Sequence, residues 1–170
     1  GRASRPAAKP VPISQVEADA HARAATGIAD LDRILGGGLV AGSAVLLGGE
    51  PGIGKSTLLL QVAQALAQSN RPGGARKTQD AAPVLYVTAE ESAMQVRLRA
   101  ERLGCLSERL LVLPESDLDA ILAEAENAHA AAVIVDSIQM VHWATLGSAP
   151  GSVGQVRECA AALIAQAKRC

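Results

Sequence analysis

From Thr26 onward the chain alternates short apolar runs with stretches of helical periodicity. Ile28, Leu31, Ile34 and Leu35 recur at helical spacing, and Gly36-Gly37-Gly38 closes that helix. Ala44-Val45-Leu46-Leu47-Gly48 is an unbroken apolar run, the pattern of a parallel strand covered on both faces. Lys55 to about Gln68 carries Leu58, Leu59, Val62, Ala65 and Leu66 at a 3.6-type spacing and reads as a helix. Val84–Thr88 is a second strand. Ser92–Leu103 is a helix with Met94 and Leu98, together with Val96, turned inward. Leu110–Leu113 is a third strand. Asp117–His129 is a helix capped by Ser116, with Leu118, Ile121, Leu122 and Ala125 on one face. Ala132–Val135 is a fourth strand, and a last helix runs from about Val153 to Lys168 after the Gly/Pro/Ser-rich stretch 147–152. Strand and helix alternate three times over, which specifies an α/β fold with a parallel sheet and right-handed crossovers.

Two segments stand outside this rhythm. Residues 1–25 hold Pro6, Pro10 and Pro12 with many alanines and no apolar period, so they read as a linker ahead of a core at 26–170. Residues 69–83 form a long polar loop carrying Arg71, Arg76 and Lys77. It reads as a solvated connector, with a nucleic-acid contact as the alternative.

Composition narrows the picture. At 170 residues the chain is long enough for one domain with its own core. Alanine supplies 34 residues, and the only aromatics are Tyr86 and Trp143, so the core is aliphatic and its helices pack closely. So few aromatics exclude a base-stacking platform for single strands of the usual kind. A net charge of −1 excludes coating of duplex DNA by bulk electrostatics, leaving room for a local basic patch. Cys105, Cys159 and Cys170 make no CxxC pair and no zinc-type cluster, and they read as reduced thiols of a cytoplasmic protein, with Cys105 and Cys159 buried as small hydrophobes. No membrane span or secretory leader is expected. The chain begins at Gly1 and reads as a piece of a longer protein.

The strongest chemical signal is Gly49-Glu50-Pro51-Gly52-Ile53-Gly54-Lys55-Ser56, a complete G-x-x-x-x-G-K-[ST] string placed between a strand pattern and a helix pattern. Its glycines let backbone N–H groups wrap a phosphate, and the helix N-terminus adds partial positive charge toward the same anion. Lys55 would reach the β- and γ-phosphates, the Ser56 hydroxyl would coordinate Mg²⁺, and Thr57 would bond the α-phosphate. The bland reading is a glycine-rich turn that binds nothing. A phosphate-bound Mg²⁺ needs a carboxylate from a neighbouring strand tip. Asp136 ends the fourth strand, where an ionised carboxylate is costly unless it faces a cation, or else caps the next turn. Hydrolysis needs a group to activate water. Glu90 and Glu91 follow the second strand, at the edge where open parallel sheets hold ligands; Glu90 is assigned to the water, with Glu91 as the alternate.

With these residues in place, the chain from Thr26 to Arg169 resembles the ATPase core of the bacterial RadA (Sms) DNA repair family of the RecA superfamily. The resembling pieces are Thr26-Gly27-Ile28, Leu35-Gly36-Gly37-Gly38-Leu39-Val40, Gly48 through Gln61, Ala89-Glu90-Glu91-Ser92, Val135-Asp136-Ser137-Ile138-Gln139, and Ala149-Pro150-Gly151-Ser152-Val153 followed by Gln155 through Ala160. The resemblance implies a RecA-like P-loop NTPase fold of three layers with a mostly parallel sheet, incomplete at its C-terminal side. It implies a DNA-dependent ATPase of recombinational repair that binds ATP and Mg²⁺, engages single-stranded and branched DNA beside a recombinase, drives branch migration and assembles as a homo-hexamer. In that pattern Lys55 and Asp136 are the two nucleotide-motif residues and Glu90 the catalytic glutamate. The 147–154 stretch takes the place of a DNA-binding loop, with Gln155 and Arg157 at its edge as DNA contacts. The family's four-cysteine zinc finger, Lys-Asn-Arg-Phe-Gly motif, protease-like C-terminal domain and later sheet strands are absent from this sequence. Nucleotide binding is therefore expected to survive in this chain more readily than catalysis. The competing expectation is a nucleotide-gated assembly module of the KaiC type with little turnover; a strand-exchange filament is disfavoured by the 149–153 string.

Overall fold

The computed structural model describes residues 10–15, 23–69 and 82–169. Five α-helices and three strands follow in the order α1 (Ala29–Ile34), α2 (Lys55–Gln68), β1 (Val84–Thr88), α3 (Ala93–Leu103), β2 (Leu110–Pro114), α4 (Leu118–Asn127), β3 (Ala132–Asp136) and α5 (Val153–Ala167). The strands form one parallel sheet in the order β2-β1-β3, with Thr88 of β1 in register with Pro114 of β2 and Asp136 of β3. Three strand tips thus end on one edge.

β1 is central and buried along its whole length, so its alternating side chains serve two cores. Val84 and Tyr86 pack with Leu60, Ala63 and Ala67 of α2 and with Val96 and Ala100 of α3. Leu85 and Val87 pack with Leu118, Ile121 and Ala125 of α4 and with Cys159 of α5. The result is three layers, helix on sheet on helix. The crossover β1–α3–β2 runs one way along the sheet and β2–α4–β3 runs back the other way. Right-handed connections then put α3 and α4 on opposite faces. Each buried Val, Leu or Ile side chain contributes about 1.5–3 kcal/mol, and eight of them sit in these two clusters.

The direction of α2 matters for the site. The Gln64 side chain accepts a hydrogen bond from the Ser107 backbone N–H at 3.0 Å, and Ser107 lies just ahead of β2. The C-terminal half of α2 therefore sits at the N-terminal edge of the sheet, and its first turn points to the edge where the strands end. A helix rise of about 1.5 Å per residue over nine residues matches the length of a five-residue strand.

Several expectations are corrected. The apolar run 44–48 joins no strand, and Val45 and Leu46 are 53% and 84% exposed. Among the described residues no layer covers this run, and a strand that is apolar on both sides gains little from pairing while water still bathes its side chains. The helix read from Ile28 to Leu35 is present as α1, six residues long, but it buries none of them, so its apolar spacing does not mark a core face. It is held by polar contacts, Asp32 accepting from the Thr26 backbone N–H at 2.7 Å and from the buried Thr26 hydroxyl at 2.8 Å. Gly27 lies against α2, where a Cβ would come within 2.7 Å of the Ala65 methyl. In α3, Met94 and Leu98 face solvent, and the helix docks through Val96 and Ala100, whose small size lets it approach the sheet. α4 is capped by Asp117, which accepts from the Ala120 N–H at 3.0 Å, and Ser116 plays no capping part. The linker read at 1–25 falls mostly outside the described residues, but Arg23 and Ala24 belong to the folded core: Ala24 pairs with Leu39, and Arg23 donates to the Leu35 carbonyl. The polar loop residues Arg71, Arg76 and Lys77, and Cys170, also lie outside the described residues.

Candidate functional site

The glycine hairpin is built from local backbone chemistry. Gly52 and Gly54 hold φ values of +80° and +99°, a region that L side chains rarely enter, and Gly54 stands at the N-cap of α2, where it offers no side-chain cap. The first N–H groups of α2 consequently have no acceptor within the helix. Residues Gly48–Gly54, including Glu50, Pro51 and Ile53, are exposed, and a Cβ at Gly52 or Gly54 would meet only open space. The Lys55 ammonium folds back and donates to the Gly49 and Glu50 carbonyls at 2.8 and 2.7 Å. Ser56 and Thr57 follow in the first turn of α2, half-buried.

The acidic residues are placed by the sheet instead. Asp136 ends β3, and its Oδ2 accepts from the Tyr86 hydroxyl at 2.7 Å. Tyr86 is fully buried in β1; burial, then the neighbouring Asp136 carboxylate, pushes its hydroxyl far above the ordinary phenol range, so it stays protonated and donates. Arg99 and Glu91 act on the same hydroxyl, the first lowering and the second raising it, which puts them in the same neighbourhood. Ser137, the residue after Asp136, donates through its hydroxyl to Glu90 Oε1 at 3.1 Å. The tips of β1 and β3 are thereby joined side chain to side chain.

Glu90 and Glu91 take different roles. Glu91 is half-buried and ion-paired with Arg99 of α3, while its backbone N–H donates to Thr88 Oγ1. Glu90 is exposed and meets only the Ser137 hydroxyl among the described residues. Of the two carboxylates, Glu90 is the one available to a reacting molecule. The chain leaves β1 for α3 on one face and β3 for α5 on the other, the kind of switch point beside which ligands bind in parallel sheets. A separate open pocket of about 290 Å³ lies over β1 and β2, lined by Thr88, Glu90, Glu91, Glu115 and Ser116; its carboxylates would repel a phosphate.

Gln155 does not face a nucleic acid. It is 1% exposed, accepts from the Trp143 N–H at 2.8 Å and donates to the carbonyls of Trp143, Leu146 and Ser148. A carboxamide so fully committed clamps the 143–148 segment onto α5 and has nothing left for a sugar or phosphate. Arg157 is exposed beside Met140 and Val153. Cys105 and Cys159 are buried as expected, and burial pushes both thiols up, so they stay protonated and poorly nucleophilic. Sequence patterning missed Tyr86, Ser137 and Arg99. The one signal for Tyr86 was a hydroxyl in the middle of an otherwise apolar strand.

Among the described residues, no group of three or more His, Cys, Asp or Glu side chains converges as a metal cage, and no helix is long and apolar enough to cross a membrane. Comparison with known proteins agrees with the fold. A family model described as an AAA domain matches residues 7–170. The DNA repair protein RadA of Halalkalibacterium halodurans is 47% identical over 161 residues, covering 95% of this chain and 33% of that protein. The RadA of Bacillus subtilis is 46% identical over 94% of this chain and 32% of its own length, and that of Haemophilus influenzae 45% identical over 99% and 34%. The chain thus spans about a third of the length of these curated relatives. With the complete phosphate-loop string opening α2 and the parallel sheet behind it, the chain belongs to the AAA-domain family and is similar to the ATPase core of the RadA proteins.

Proposed function

We propose that this chain is the nucleotide-binding core of a DNA repair ATPase, with Mg²⁺-ATP held between the 49–57 hairpin and the tips of β1 and β3. The observation that carries this reading is that α2 packs on the sheet with its later half at the start of the strands, an orientation that directs its first turn toward the edge where Asp136 ends β3 and Glu90 bonds Ser137. The residues fit such a ligand. The hairpin offers uncapped N–H groups, glycines with open space at their Cβ positions and an ammonium whose present partners are only neutral carbonyls, which an anion outcompetes. Asp136 commits one carboxylate oxygen to Tyr86 and keeps the other. Ser56 and Asp136 would give a Mg²⁺ only part of its ligands, which suits an ion that is commonly held by one or two protein groups together with a substrate's phosphates.

In this reading Gly49, Glu50, Pro51, Gly52, Ile53 and Gly54 wrap the phosphates, Lys55 neutralises their charge, and Thr57 donates to the α-phosphate. Ser56 and Asp136 hold Mg²⁺. When bound, Mg²⁺-ATP supplies an electrophilic phosphoryl group. Glu90 orients a water and accepts its proton, and Ser137 keeps the Glu90 carboxylate turned toward the sheet. The relatives' name places them in DNA repair. We carry that over as coupling of ATP hydrolysis to single-stranded and branched DNA, to unwinding and branch migration, to a recombinase partner and to assembly as a homo-hexamer. Arg157 is the remaining candidate for a DNA contact.

The test is steady-state ATP turnover of the chain with and without single-stranded DNA, beside Glu90→Gln. Turnover that rises with DNA and is lost in Glu90→Gln, with ATP binding kept, supports a motor. Binding and ATP-dependent assembly that are indifferent to Glu90→Gln support the KaiC-type module instead.

A further inference from the structure

Tyr86 is the chain's only tyrosine, and it occupies a position that packing alone would give to an apolar residue. It is 0% exposed at the centre of β1, between Leu60 of α2 and Val96 of α3. Its hydroxyl reaches diagonally across the sheet. In register Tyr86 faces Ile134, while Thr88 faces Asp136, so the bond to Asp136 Oδ2 at 2.7 Å spans the two-residue diagonal on one face. Among the described residues no other side chain hydrogen-bonds this carboxylate. A buried hydroxyl that costs desolvation and ends on a strand-tip acid fixes the rotamer of that acid.

Resting on the reading that Asp136 holds the Mg²⁺ of a bound nucleotide, we propose that Tyr86 is a positioning residue whose hydroxyl pins Asp136 Oδ2 toward the core and leaves Oδ1 facing the metal or its water. Tyr86 touches no phosphate itself; it acts through Asp136. A free carboxylate at a strand tip samples several rotamers and can turn toward the Ser137–Glu90 pair, and the hydroxyl removes that choice.

Tyr86→Phe keeps the ring and its volume and deletes one oxygen. In the full chain, the Mg²⁺ concentration for half-maximal binding of a fluorescent ATP analogue is expected to rise about tenfold in this variant. Binding in EDTA and the melting temperature stay as in the parent. Asp136→Ala serves as the reference and is expected to lose the Mg²⁺ response altogether. A parental Mg²⁺ midpoint in Tyr86→Phe, with the response lost in Asp136→Ala, overturns the positioning role and leaves the metal reading standing. A parental response in Asp136→Ala overturns the metal reading. Because the tyrosine is unique, 3-fluorotyrosine incorporation labels this position alone and does not depend on the variant folding. Its ¹⁹F resonance is expected to shift when Mg²⁺ is added to the nucleotide complex, and an unmoved resonance counts against the proposal.

Discussion

The two halves of the candidate site are built in opposite ways. The hairpin is exposed from Gly48 to Gly54 and follows an unpaired run. Its tertiary support is slight, two bonds from Lys55 to its own loop and a long 3.5 Å turn bond from Ile53 to Glu50. The strand tips rest on β1, whose Tyr86 and Val87 are fully buried, and carry Tyr86–Asp136, Ser137–Glu90 and Arg99–Glu91 as cross-links between elements. The half to which we assign the chemistry is held by the core, where small displacements are costly. The half to which we assign the phosphate is shaped by glycine dihedrals and by α2, and the Lys55 carbonyl contacts are ones that an anion would outcompete.

The largest effect is expected at Glu90→Gln, where turnover falls about 10²–10⁴-fold with nucleotide affinity preserved; an equal loss in Glu91→Gln with Glu90→Gln active would reverse the assignment of the two acids. Next, Leu60→Ala removes the side chain that seats α2 on β1 and costs about 2–5 kcal/mol in denaturant unfolding. It should weaken nucleotide binding as well, because the hairpin is carried by that helix. Lys55→Ala should leave stability unchanged, since its bonds lie on an exposed loop, while each lost charge-assisted bond to phosphate is worth about 1.5–3 kcal/mol, a weakening of at least roughly tenfold by equilibrium titration. The smallest effect is expected for Ser137→Ala, which frees the Glu90 carboxylate and costs about 0.5–1.5 kcal/mol, a roughly two- to tenfold drop in turnover at unchanged affinity.

What the sequence revealed follows the same divide. The phosphate-loop string, the strands 84–88, 110–113 and 132–135, and the helices from Lys55 and Val153 were legible because each is specified by neighbours along the chain. The strand expected at 44–48 was not, because pairing depends on a covering layer and not on apolar residues alone. Met94 and Leu98 misled for a related reason. α3 buries its smaller residues to sit close to the sheet, and apolar size was a poor guide to its inward face. The bonds from Tyr86 to Asp136 and from Ser137 to Glu90 join residues about fifty positions apart, and only the register of β1 against β3 brings them together. Gln155 shows the reverse error: a polar residue at a loop edge looked available, yet the loop folds around it.

In the proposed complex a single nucleotide-bound metal lies against both halves at once. Paramagnetic broadening by Mn²⁺-ATP, read on the backbone amide resonances of the ¹⁵N-labelled chain, tests this directly. Gly52–Thr57, Glu90 and Asp136–Ser137 are expected to broaden together at the same Mn²⁺ concentration, while the C-terminal turn of α4, at the opposite edge of the sheet, stays sharp. Broadening confined to the hairpin, with Asp136 and Glu90 unaffected, would contradict it.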